Sequence, residues 1–116
     1  MKAAMPPSKR AYMSYVIAYI TTKNIAEARK IGEIIVRERL AACANIIPAM
    51  ESVYWWKGKI EKDKEALLLL KTKKPLVGKL IKRVKELHSY DIPCVDIIPM
   101  TGGNPDYFKW IEEVTR

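Results

Sequence analysis

The sequence predicts an α+β fold, an antiparallel four-stranded sheet with two helices on one face and a third helix at the C-terminus. Three observations predict it. Residues 43–72 form two apolar arms, rich in β-branched, aromatic and aliphatic residues, around a charged Lys57-Gly58-Lys59 punctuation, the pattern of one long hairpin. Two further segments, after Asn24 and after Pro75, repeat apolar residues at helical spacing. Each lies between strand-like runs, so the elements succeed one another as β-α-β-β-α-β before the last helix.

Residues 1–12 carry Pro6-Pro7 and charge without periodicity and read as a disordered tail, leaving the ordered domain over 13–116. Residues 14–21 (SYVIAYIT) are apolar at nearly every position, as a buried central strand requires. Asn24 and Glu27 have the spacing of a capping box, with Glu27 facing the positive helix end. They open a helix from Ile25 to about Leu40 whose inward stripe is Ala28, Ile31, Ile35 and Leu40. In the second hairpin arm Leu67 to Leu70 are consecutive. Each is worth about 1.5–3 kcal/mol when buried, so this strand is expected to be covered on both faces. Pro75 suits the first turn of a helix. Its apolar positions, among them Leu76, Leu80, Val84 and Leu87, leave Lys79, Lys82, Arg83 and Lys85 on the wet face. Residues 94–100 read as a short strand. Asn104 then caps a last helix, with Pro105 at its first position and Asp106 facing the dipole. The order is that of the ferredoxin-like split βαβ arrangement.

The hairpin is longer than one small domain can hold straight. Arms of about 14 residues at ~3.3 Å each reach about 45 Å, whereas ~100 residues fold to a radius of gyration near 13 Å. The hairpin either bends, for which Pro48 is the place, or carries its tip onto a neighbour. Long apolar edges invite aggregation unless another chain covers them, so symmetric oligomerisation follows.

With 116 residues, about half of them apolar, the chain makes one domain. No apolar run approaches a membrane span and the N-terminus lacks the h-region of a signal peptide, so a cytoplasmic protein with no membrane partner is expected. Cys43 and Cys94 are far apart and expected to be reduced. The net charge of +8 is spread over the chain, which favours a solvated surface over a nucleic-acid footprint.

The blocks ERLAACANIIP (38–48), SVYWWKGKIEKDKEALLLLKT (52–72), LHSYDIPCVDIIPM (87–100) and GNPDYFKWIEE (103–113) resemble the CutA divalent-cation tolerance family. The resemblance runs from Ser14 onward. It implies a ferredoxin-like homotrimer whose long hairpins wrap neighbouring subunits, and a role in response or tolerance to divalent metal ions, copper in particular. The family is similar in fold and assembly to the PII signalling trimers, so a PII-like small-molecule signalling trimer is an alternative. The chain departs from the family's HPYExP block, with Ser89 for the proline, Asp91 for the glutamate and Cys94 where an acidic residue is common.

Copper and zinc favour imidazole and thiolate ligands, and the chain offers one histidine, two cysteines and scattered carboxylates. His88, next to Tyr90 at a helix end, and Cys43 are the metal candidates; His88 is equally placed to face the C-terminal helix dipole, and Cys43 to be a small core residue. Trp55 and Trp56 adjoin Lys57 and Lys59 and suit a ligand cleft or a subunit contact. As neighbours on a strand they point to opposite faces, so only one serves a given surface. Lys71, Tyr90, Asp91, Tyr107 and Trp110 complete the candidate cleft, Lys71 being also an ordinary snorkelling lysine and Tyr107 and Trp110 helix-docking residues.

No nucleophile-base pairing, phosphate-cradling loop or carboxylate pair in an apolar setting supports an enzyme. A nucleic-acid-binding ferredoxin-like module is the other alternative, since RNA-recognition domains share the βαββαβ sheet. Their aromatic signature is missing, and no specific nucleic acid is expected.

Overall fold

The computed structural model describes residues 14–116, so the tail expected over 1–12 lies outside the described residues. The elements are β1 (Tyr15–Thr22), α1 (Ile25–Arg37), β2 (Cys43–Trp56), β3 (Lys59–Lys73), α2 (Val77–Leu87), β4 (Val95–Pro99) and α3 (Pro105–Val114). The sheet order is β2-β3-β1-β4 with every pairing antiparallel. This is the ferredoxin-like order with a helix added at the end.

Asn24 Oδ1 accepts from Glu27 N–H at 2.9 Å, as the spacing predicts. The Glu27 carboxylate reaches back to Lys23 N–H at 3.0 Å, one residue before the cap. α1 stops at Arg37, three residues before the expected Leu40, because Arg39 turns into the left-handed region at φ 63° and reverses the chain. Ala28, Ile31 and Ile35 are fully buried, while Leu40 packs at the core's margin. α1 sits close on the sheet because residue 32 is glycine; a Cβ there would lie 3.1 Å from both Ala44 Cβ and Leu68 Cδ1. Pro75 lies within a short 3-10 turn (Lys74–Leu76) that leads into α2, rather than within α2 itself. The core joins α1, α2 and one face of the sheet: Ala18, Ile20, Ala66, Leu68, Leu70, Leu80 and Val84 are all fully buried.

The other face is covered only at one end. There α3 docks through Phe108 and Ile111, and the Phe108 ring stacks on Tyr15 at 5.1 Å. The expectation that β3 is covered on both faces is therefore corrected for the single chain. Leu68 and Leu70 face the helices and are fully buried, whereas Leu67 and Leu69 point to the open face and are half-buried.

β2 and β3 join through a two-residue turn in which Lys57 (φ 49°) and Gly58 (φ 79°) are both left-handed, the geometry that matches strand twist. The hairpin both bends and projects. Pairing runs Ile47 with Leu67 and then Met50 with Glu65, so Pro48 and Ala49 supply one extra residue, a bulge where the sequence places the bend. The molecule measures 56 × 29 × 22 Å, and its radius of gyration of 15.9 Å exceeds the ~13 Å of a compact domain of this size.

Candidate functional site

The bulge decides what the open face presents. Without the extra residue, alternation from Ile47 would bring residues 49, 51, 53 and 55 to that face. With it, Met50, Ser52, Tyr54 and Trp56 stand opposite Glu65, Asp63, Glu61 and Lys59. Met50, Ser52, Tyr54 and Trp56, with Asp63 and Glu65 from β3, Tyr19 and Thr21 from β1, and the Ser89–Ile92 segment and Cys94 from the loop after α2, line a cleft of about 630 Å³. The cleft occupies the end of the open face that α3 leaves uncovered.

The loop is fastened from several sides. Tyr90 donates its hydroxyl to Glu65 Oε2 at 2.7 Å. Ser89 N–H donates to Glu27 Oε2 at 2.9 Å, tying the loop to the start of α1. The His88 ring beneath it is fully buried. Its Nε2 lies 2.8 Å from the Thr21 carbonyl, which can only accept, so the network places a proton on Nε2. Nδ1 then accepts from Tyr90 N–H at 3.1 Å.

Charge in the cleft runs against the rest of the chain. Asp63, Glu65 and Asp91 line it and no lysine or arginine does, in a protein of net charge +8. Tyr54 donates its hydroxyl to Asp63. That bond, with some desolvation and the nearby charges of Asp63, Glu65 and Glu61, pushes the Tyr54 phenol up to about 12. Burial, then the hydrogen bond to Glu65, raises Tyr90 as well. Burial and the hydrogen bond to Asp96, 3.4 Å from the sulfur, raise the Cys94 thiol above its ordinary value. Burial pushes Glu27 up too, but the hydrogen bonds from Lys23 and Ser89 outweigh it and hold the carboxyl below its ordinary value.

The structure divides the candidate residues. Trp56, Tyr90 and Asp91 line the cleft. Trp55, its neighbour on the strand, faces the other way and is 72 % exposed. Lys71, Tyr107 and Trp110 form a separate group at the α3 end, with Lys71 Nζ 5.5 Å from the Tyr107 ring centre and the Tyr107 and Trp110 rings 5.4 Å apart. Lys71 is six residues along β3 from Glu65, about 20 Å. The structure does not bring the two metal candidates, His88 and Cys43, together. Both His88 nitrogens are engaged inside the protein, so no lone pair is free for an ion. Cys43 pairs with Lys71 and is four residues, about 13 Å, along β2 from Ile47, the residue in line with Thr21 across β3. Its sulfur contacts Asn45 Oδ1 at 3.6 Å. Among the described residues no three His, Cys, Asp or Glu side chains converge to hold a metal.

Sequence reasoning missed Tyr19, Tyr54, Asp63 and Glu65. The period-2 spacing of Asp63 and Glu65 was the available signal, and it becomes informative only once the bulge fixes which residues of β2 stand opposite them.

Fold and site together define an α+β protein with a projecting hairpin and a carboxylate-bearing cleft on the open sheet face. The model of the CutA1 divalent ion tolerance protein family matches residues 16–114, and the chain belongs to that family. It is 43% identical over 101 residues to a chloroplastic CutA 1 protein of Oryza sativa subsp. japonica, covering 87% of this chain and 57% of the relative. It thus spans little more than half the length of that relative. The divalent-cation tolerance protein CutA of Pyrococcus horikoshii is also 43% identical over 101 residues, covering 87% of this chain and 98% of the relative. The crystal structure of CutA1 from Oryza sativa superposes with a TM-score of 0.87 at 40% identity, covering 91% of this chain and 97% of that one. No helix among the described residues is long and apolar enough to cross a membrane.

Proposed function

We propose that this chain is a homotrimeric, non-enzymatic protein of divalent-cation response, copper above all, that takes up its cation in the cleft of Asp63, Glu65 and Asp91, completed by a neighbouring subunit. The single observation that carries the reading is three carboxylates and no basic side chain in one concavity of a strongly basic chain. A local negative field concentrates cations there. Val53, Trp55 and Ile60, exposed at 65, 72 and 49 % on the opposite side of the hairpin, supply the apolar surface that a neighbour would cover. The family's name supports the divalent ion. Cytoplasmic placement is also part of the proposal, although the rice relative is named chloroplastic.

A PII-like signalling role remains compatible with this site, whereas nucleic acid ranks below it, because the carboxylates of the open face repel phosphate. Calorimetric titration with Cu(II) and with Zn(II) tests the proposal. Wild type and Cys43→Ser bind alike, and Asp63→Asn with Asp91→Asn binds at least about tenfold more weakly. Equal affinity in all three would remove the cleft as the site.

A further inference from the structure

The cleft is wider than a bare ion needs. At about 630 Å³ it falls inside the ~300–1,000 Å³ range of small-molecule sites, and it is some twenty times the ~30 Å³ share of one water in the liquid. Four aromatic rings, Tyr19, Tyr54, Trp56 and Tyr90, stand in its lining. Rings contribute nothing to the coordination of a hard or borderline metal, but their faces attract an ammonium group within about 6 Å. One does so already: Lys57 Nζ lies 5.7 Å from the centre of the Trp56 ring. Trp56 and Tyr54 are 40 and 38 % exposed, so a ligand's methylenes have apolar surface to cover.

The polar groups fit the same chemistry. Asp63 and Glu65 are two apart on β3 and face one side, about 6.7 Å from each other along the strand. Each accepts one tyrosine hydroxyl, which leaves each carboxylate a second oxygen and each phenol its oxygen lone pairs for an N–H donor. A short chain of methylenes separates two nitrogens by a comparable distance.

We propose that the cleft binds an aliphatic diammonium ion, its nitrogens paired with Asp63 and Glu65 and its methylenes laid against Trp56 and Tyr90. This rests on the reading of the cleft as a cation site and names the ligand class.

Calorimetry on the assembled full chain tests it, with 1,4-diaminobutane, the uncharged 1,4-butanediol and Zn(II) as probes. The wild type binds the diamine saturably and the diol not at all. Asp63→Asn and Trp56→Leu, both at exposed positions, keep the fold by circular dichroism and bind the diamine about tenfold or more weakly. Saturable Zn(II) binding without diamine binding overturns the diammonium assignment and leaves the cation site standing. Binding of neither overturns both. Diamine affinity unchanged in the two variants, or matched by the diol, also overturns the assignment.

Discussion

Tyr90 Oη lies 2.7 Å from Glu65 Oε2, and this one bond fastens the loop after α2 to the third strand of the sheet at the cleft. Glu65 is 8 % exposed, so its carboxylate depends on protein partners. Tyr90→Phe keeps the ring and removes the donor. Leaving a buried carboxylate short of a hydrogen bond costs about 1–3 kcal/mol, and a urea titration of the variant should show a loss of that size. An unchanged midpoint would mean that water replaces the hydroxyl freely.

Glu27 fastens the same loop from the helix side and makes stability depend on pH. Its folded carboxyl titrates below its ordinary value near 4.5, so its contribution is complete above that value and disappears as pH falls through the lower, folded one. Glu27→Gln, which loses charge-assisted bonds from Lys23 and Ser89, should cost about 1.5–3 kcal/mol at pH 7. The difference between wild type and variant should shrink below about pH 4.5, as urea midpoints at pH 7, 5 and 3.5 would show. A constant difference across that range contradicts the assignment.

Most of the fold is legible in the sequence because its signals are local. The capping spacing of Asn24 and Glu27, the Lys57-Gly58 turn and the Asn104-Pro105 start each act within a few residues. The site is legible only in part. Trp56, Tyr90 and Asp91 line the cleft, but the choice of Trp56 over Trp55 depends on one extra residue at Pro48–Ala49, and sequence locates the bend without counting its residues. The fate of His88 rests on the Thr21 carbonyl, 67 positions away in the chain, which no spacing rule reaches. Leu67 and Leu69, read as covered, look out from the open face because the single chain has only one helical layer there.

Gly58 has nothing within 4 Å of the position a Cβ would take, so its role is conformational. At φ 79° an alanine bears the left-handed penalty of about 1–2 kcal/mol. Gly58→Ala should lower thermal stability by that amount without altering the core. Lys57→Asn, which suits the preceding left-handed position, should not lower it. Equal stability of Gly58→Ala and wild type would show that the turn relaxes to another type.

The hairpin predicts assembly. Light scattering should give three times the 13.3 kDa chain mass, and a concentration-independent monomer would contradict it. Pro48→Val, which favours regular pairing at the bulge, should reduce the assembled fraction more than it unfolds the helix-covered core. Loss of both together would place Pro48 in the folding of the single chain.

The most direct measurement of the cation-site reading is an anomalous difference map from crystals of the assembled protein soaked separately with Cu(II) and Zn(II). The account predicts a peak in the cleft, within coordination distance of Asp63, Glu65 or Asp91, and none at the His88 ring. A peak on His88 or Cys43 with the cleft bare would contradict it.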